Sequence, residues 1–148
     1  MKTIITLSLL LIVSLSYSQH AIIEAGPSFL KNYSTGINAG ASLLFSKTQS
    51  GIALGAEVYK SNDLPIGIPV FARGVITAKN GLVLNIQAGY MFMNKTYDDG
   101  TAKIGGLYSK FGAGYMVAKK IHLLVNFVGA QVEKEFNYGA NIMIGVRI

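Results

Sequence analysis

Six side chains of this 148-residue sequence have the types from which an active site is built: Glu24, Glu57, Arg73, Lys110, His122 and Arg147. Two carboxylates, three strong cations and an imidazole can serve general acid–base catalysis or a proton relay when a fold gathers them. The same six can equally form a salt-bridge and hydrogen-bond plug that fills a narrow polar interior. The plug is favoured, since eight strands would leave an interior just wide enough for side chains. No Asp, Glu or Cys stands at metal-ligand spacing from His122 on its own segment, which suits an interior hydrogen bond better than a metal. A Ser–His–acid triad would need Ser109 on the same side as His122, and alternation along the chain sends the two apart. The glycine-dense stretch GLYSKFGAGYMVAKK lacks the G-x-x-x-x-G-K-[ST] order of a phosphate loop, so Gly112 and Gly114 read as packing glycines beside Lys110. No catalytic residue, metal or cofactor is expected.

The elements that position the six are alternating segments. Eight of them run over about 21–30, 36–46, 51–60, 66–78, 82–92, 104–118, 121–131 and 137–148, separated by breaks rich in Gly, Asn, Asp, Ser, Thr and Lys. In the third, Ile52, Leu54, Ala56 and Val58 oppose Ala53, Gly55, Glu57 and Tyr59. In the fifth, Leu82, Leu84, Ile86, Ala88, Tyr90 and Phe92 oppose Val83, Asn85, Gln87, Gly89 and Met91. All six candidates fall on the less apolar parity of their segment, and the other mature charges lie at segment ends, turns or loops. Connections at 46–51, 78–81 and 118–120 are tight, whereas the links between, such as NKTYDDGTAK and VEKEFN, read as longer loops.

Parity and composition together decide the solvent. The chain is 51% hydrophobic and only 14% charged, with seventeen glycines, eight tyrosines and a mean hydropathy of +0.41. A soluble barrel would show its less apolar parity to water, where roughly a quarter to a third of residues are charged; five charges over eight strands are too few. A transmembrane barrel turns the apolar parity to lipid and the polar parity inward, which accounts for both the scarcity of charge and its placement. The opening MKTIITLSLLLIVSLSYS, residues 1–18, has the lysine, short apolar run and small residues of a cleaved signal peptide, leaving 19–148 as the barrel. No later stretch reaches the ~18 apolar residues of a membrane helix, and there is no cysteine for disulfides. The net charge of +6 is scattered without interleaved aromatics, which argues against nucleic acid.

An exported chain of eight alternating segments resembles the small outer-membrane β-barrel proteins of Gram-negative bacteria, the class that includes the membrane part of outer membrane protein A. The likeness rests on the pattern and on the segments IPVFARGVI and YGANIMIGVRI, where Gly139, Ile142, Ile144 and Val146 resemble that family's final-strand signal. The family usually closes on an aromatic residue, and this sequence closes on Ile148. The resemblance implies an all-β, eight-stranded antiparallel up-and-down transmembrane β-barrel in the outer membrane. Its partners would be outer-membrane lipids and, during biogenesis, the barrel-assembly machinery; the sequence names no protein partner.

The expected role is structural or interactive, with a lumen filled by side chains. A narrow pore or transporter accessory, a lipid-modifying outer-membrane enzyme and a soluble periplasmic ligand-binding barrel are the alternatives. Glu24 near the start of the first strand and Arg147 near the end of the last are expected to form an ion pair across the closing seam. Lys47, Lys79, Lys119 and Lys120 in the tight turns, with no acid among them, are expected at the periplasmic end.

Overall fold

The computed structural model describes residues 18–148 apart from 32–33, 47, 98–99 and 133–134. The predicted signal peptide lies outside the described residues except for Ser18. Eight strands follow in chain order: β1 (Ser18–Leu30), β2 (Gly36–Phe45), β3 (Gly51–Lys60), β4 (Gly67–Thr77), β5 (Leu82–Tyr97), β6 (Gly100–Met116), β7 (Ile121–Val132) and β8 (Glu135–Arg147). Each pairs antiparallel with the next, and β8 also pairs with β1, from Ile22 opposite Arg147 to Leu30 opposite Gly139. The sheet is therefore a closed barrel with no free edge, so its backbone donors and acceptors are used within the ladder.

The connections depart from expectation on one side. The stretch NKTYDDGTAK is not a long loop, because β5 continues to Tyr97, β6 starts at Gly100, and Asn94 to Tyr97 pair with Lys103 to Gly100. Likewise Val132 pairs with Glu135, so most of VEKEFN belongs to strands. Both stretches lack apolar alternation, yet backbone pairing needs none once a hairpin has been nucleated below. The asymmetry between the two ends thus lies partly in strand length. On the opposite side the β4–β5 turn is closed by Ala78 N–H donating to Leu82 O and Gly81 N–H to Ala78 O, with Gly81 at φ 90°, a left-handed conformation that suits glycine.

Strand alternation sorts side chains into wall and interior. Large apolar residues stand outward, with Ile86 and Leu107 at 65% and 66% exposed. Among the described side chains, the charges that face outward from strands, Lys60, Lys103 and Glu135, sit at their loop ends.

The interior is layered along the barrel axis. Leu30, Tyr59, Leu64, Phe71, Met91, Met93, Tyr108, Val128 and Ala130 form one apolar cluster toward the loops. Ile22, Leu44, Ala53, Val75, Val83, Leu124 and Met143 form another toward the turns. Between them on the same strands lie polar residues: Glu24 between Ile22 and Leu30, Arg73 between Phe71 and Val75, Asn126 between Leu124 and Val128. Eight strands leave an interior that side chains can fill, and here two apolar layers enclose a polar one.

Candidate functional site

The polar layer is assembled by register. Glu24 on β1 and Glu57 on β3 both oppose Gly40 of β2, while Arg73 on β4 and Lys110 on β6 both oppose Gln87 of β5. Two acids thus flank a glycine on one side of the barrel, and two cations flank a glutamine on another. Arg73 reaches across to Glu24, its two terminal nitrogens donating at 2.7 and 2.8 Å in the fork geometry that suits a carboxylate. Lys110 Nζ reaches Glu57 at 2.6 and 2.8 Å, and the Tyr108 hydroxyl donates to the same carboxylate at 2.9 Å. Each pair joins strands three apart and so ties opposing walls together.

Glycines make room for these contacts. His122 on β7 and Glu24 on β1 both oppose Gly145 of β8 and meet over it, with His122 Nε2 2.6 Å from Glu24 Oε1. A Cβ on Gly145 would collide with the imidazole ring and stand 2.7 Å from Glu24 Cγ. The same device recurs on β6, where Gly112 separates Asn85 from Asn126. Asn85 Nδ2 donates to Asn126 Oδ1, and Asn126 Nδ2 donates to Asn141 Oδ1 at 2.8 Å, a ladder of amides around the wall. A methyl on Gly112 would run into the Asn126 side chain.

All six residues singled out from the sequence are buried, Arg73 and Lys110 at 2% and His122 at 0% exposure. Five of them meet in the two ion-pair groups. The expected Glu24–Arg147 pair does not form. Arg147 opposes Ile22 rather than Glu24, one interior position nearer the turns, and donates to Gln49 O at 2.9 Å and to Thr77 Oγ1 at 3.0 Å. Tyr108 and the asparagine ladder were missed because they carry no formal charge. Their signal is the alternation that located the charged set, since Asn85, Asn126 and Asn141 share the interior parity. Among the described residues no group of three or more His, Cys, Asp or Glu is placed to hold a metal. Ser109 stands exposed on the wall and His122 is buried within, so these two do not form a nucleophile and base.

At the loop end the rim is tied by polar contacts. Ser34 N–H donates to Asp63 Oδ2 at 2.5 Å, and Lys31 Nζ donates to the Tyr138 hydroxyl at 2.8 Å. The Ser34 side chain and its backbone N–H hold the Asp63 carboxyl below its ordinary value of 3.8. Leu64, three residues after Ser61, folds inward and joins the loop-side apolar cluster.

Against known structures the whole barrel finds counterparts. The N-terminal β-barrel domain of Pseudomonas aeruginosa OprF superposes with a TM-score of 0.64 at 14% identity, covering 88% of this chain and 98% of that one. The chain has the fold of the small outer-membrane barrels. Neisserial surface protein A matches with a TM-score of 0.56 at 13% identity over 86% of this chain and 95% of its own. Ail, the attachment invasion locus protein of Yersinia pestis, matches with 0.54 at 12% identity over 87% and 96%. No protein-family model and no curated protein matches the sequence.

Proposed function

We propose that this chain is a small integral outer-membrane β-barrel with a sealed interior, acting as a structural or interaction module rather than as a pore or an enzyme. The observation that carries the reading is the inversion of polarity, with Ile86 and Leu107 on the wall and Arg73 and Lys110 within. A wall of that kind belongs in hydrocarbon, where an outward Lys or Arg at mid-depth would cost about 2–4 kcal/mol. A soluble ligand carrier would instead keep its apolar residues around a cavity, and this interior is occupied by two apolar clusters and the ion pairs between them.

The same layering favours a plug over a pore. A conducting path would have to pass Phe71 and Met91 at one level and Leu44 and Met143 at the other, all buried and apolar. What remains for partners is the loop rim that carries Lys31, Lys60, Asp63 and Lys103, and the likeness to an attachment protein agrees with an interaction role there. Conductance of the refolded protein in planar bilayers tests this reading. The expected trace stays at the bare-membrane baseline in high salt, and reproducible unitary steps would establish a pore.

A further inference from the structure

The turn end of the barrel is basic without compensation. Among the described residues its turns carry Lys79, Lys119 and Lys120 and no acid. Lys79 and Lys119 line a recess of about 320 Å³ together with Asn80 and Tyr115. Tyr115 stands half exposed on the wall with its ring against the β4–β5 turn, where a Cβ on Gly81 would lie 3.0 Å from Tyr115 Cζ. Lys79, Lys119 and Tyr115 thus line one recess where wall meets turn. That is the donor set for a phosphate at a membrane surface.

Directly above lies a groove of about 610 Å³ on the wall. It exists because Gly74 faces outward between Ile52 and Ile86 and offers no side chain, leaving bare backbone as a floor beside Ile76, Ile86 and Phe111. Groove and recess follow one another along β4, Ile76 lining the one and Ala78, two residues on and exposed as well, lining the other. Both volumes fall in the range of roughly 300–1,000 Å³ in which small ligands are held.

We infer that recess and groove together bind one acidic glycerophospholipid, its phosphate between Lys79, Lys119 and the Tyr115 hydroxyl and an acyl chain laid over Gly74. The inference rests on the membrane reading above and names a lipid class that this barrel selects. Free phosphate would use the recess and leave the groove empty. A protein strand would need backbone partners, and a closed barrel offers none on its wall.

The test uses native mass spectrometry of the refolded barrel in detergent, titrated with dioleoyl phosphatidylglycerol and with dioleoyl phosphatidylcholine. A saturable adduct of the acidic lipid is expected at lower concentration than one of the neutral lipid. Lys79→Ala and Lys119→Ala should each weaken the acidic adduct about fivefold and leave the neutral one unchanged. Gly74→Leu should weaken both by filling the groove, since only Ile86 Cγ2, at 3.3 Å from an added Cβ, must yield. If that variant fails to fold, Ile86→Ala, which removes a groove wall, should weaken both in its place. Equal affinity for the two lipids, or an unchanged preference in the lysine variants, would overturn the phosphate site; full binding by the groove variants would overturn the acyl groove. A protein that stays soluble without detergent would instead defeat the membrane reading itself.

Discussion

Replacing Glu24 by glutamine would leave the Arg73 guanidinium buried with no counter-charge, because that side chain is 2% exposed and its terminal nitrogens both donate to Glu24. Breaking one side of such a pair costs about 3–5 kcal/mol, whereas replacing both sides by apolar groups of similar volume is often neutral. Urea unfolding in phospholipid vesicles should therefore show Glu24→Gln strongly destabilised and Glu24→Leu with Arg73→Met close to the parent; equal losses in the two would show that charge compensation is not what the pair supplies. At the loop rim the dependence is on pH. Since Asp63 has its carboxyl held below 3.8, its tie to Ser34 is fully present above that value and is lost as pH falls through the lowered one. Limited proteolysis of the loop 61–66 should accelerate only in that acidic window, and Asp63→Asn should cleave at the fast rate at every pH. Parity alone made the burial of these six candidates legible in the sequence. Their partners were not legible, because Glu24 meets Arg73 and His122 through a register spread over several strands and through the missing side chain of Gly145.

Strand β8 and the upper β5–β6 hairpin make opposite demands on the fold. Deleting 144–148 removes residues paired with both β1 and β7, among them Ile144 opposite Ala25 and Leu123, and exposes two edges. Each unpaired backbone group in hydrocarbon costs several kcal/mol by order of magnitude, so that truncation should abolish stable insertion into vesicles. Excising 95–102 and rejoining the strands through Asn-Gly removes only pairs beyond Met93, the last of the β5 residues in the loop-side cluster, and should leave insertion intact. A truncated β8 that still inserts, or a shortened hairpin that does not, would contradict this division. Strand existence was readable wherever one face is apolar, as from Ile52 to Val58. It was not readable from Asn94 to Tyr97, where backbone pairing continues while the sequence NKTY shows no apolar alternation.

For the molecule as a whole, one arrangement accounts for a hydrophobic, charge-poor chain: apolar residues outward, ion pairs and amides inward between two apolar layers, and a sheet with no edge. Each part depends on lipid as the surrounding medium, since Ile86, Leu107 and their neighbours would otherwise face water together. Closure also makes unfolding cooperative, because no strand can leave without breaking two ladders. The direct test is electrophoretic migration of the protein from washed membranes, with and without boiling in detergent. Recovery in the membrane fraction and a shift in migration on boiling are expected, as the closed barrel resists the detergent until it is heated. Recovery in the soluble fraction, or identical migration before and after boiling, would contradict that arrangement.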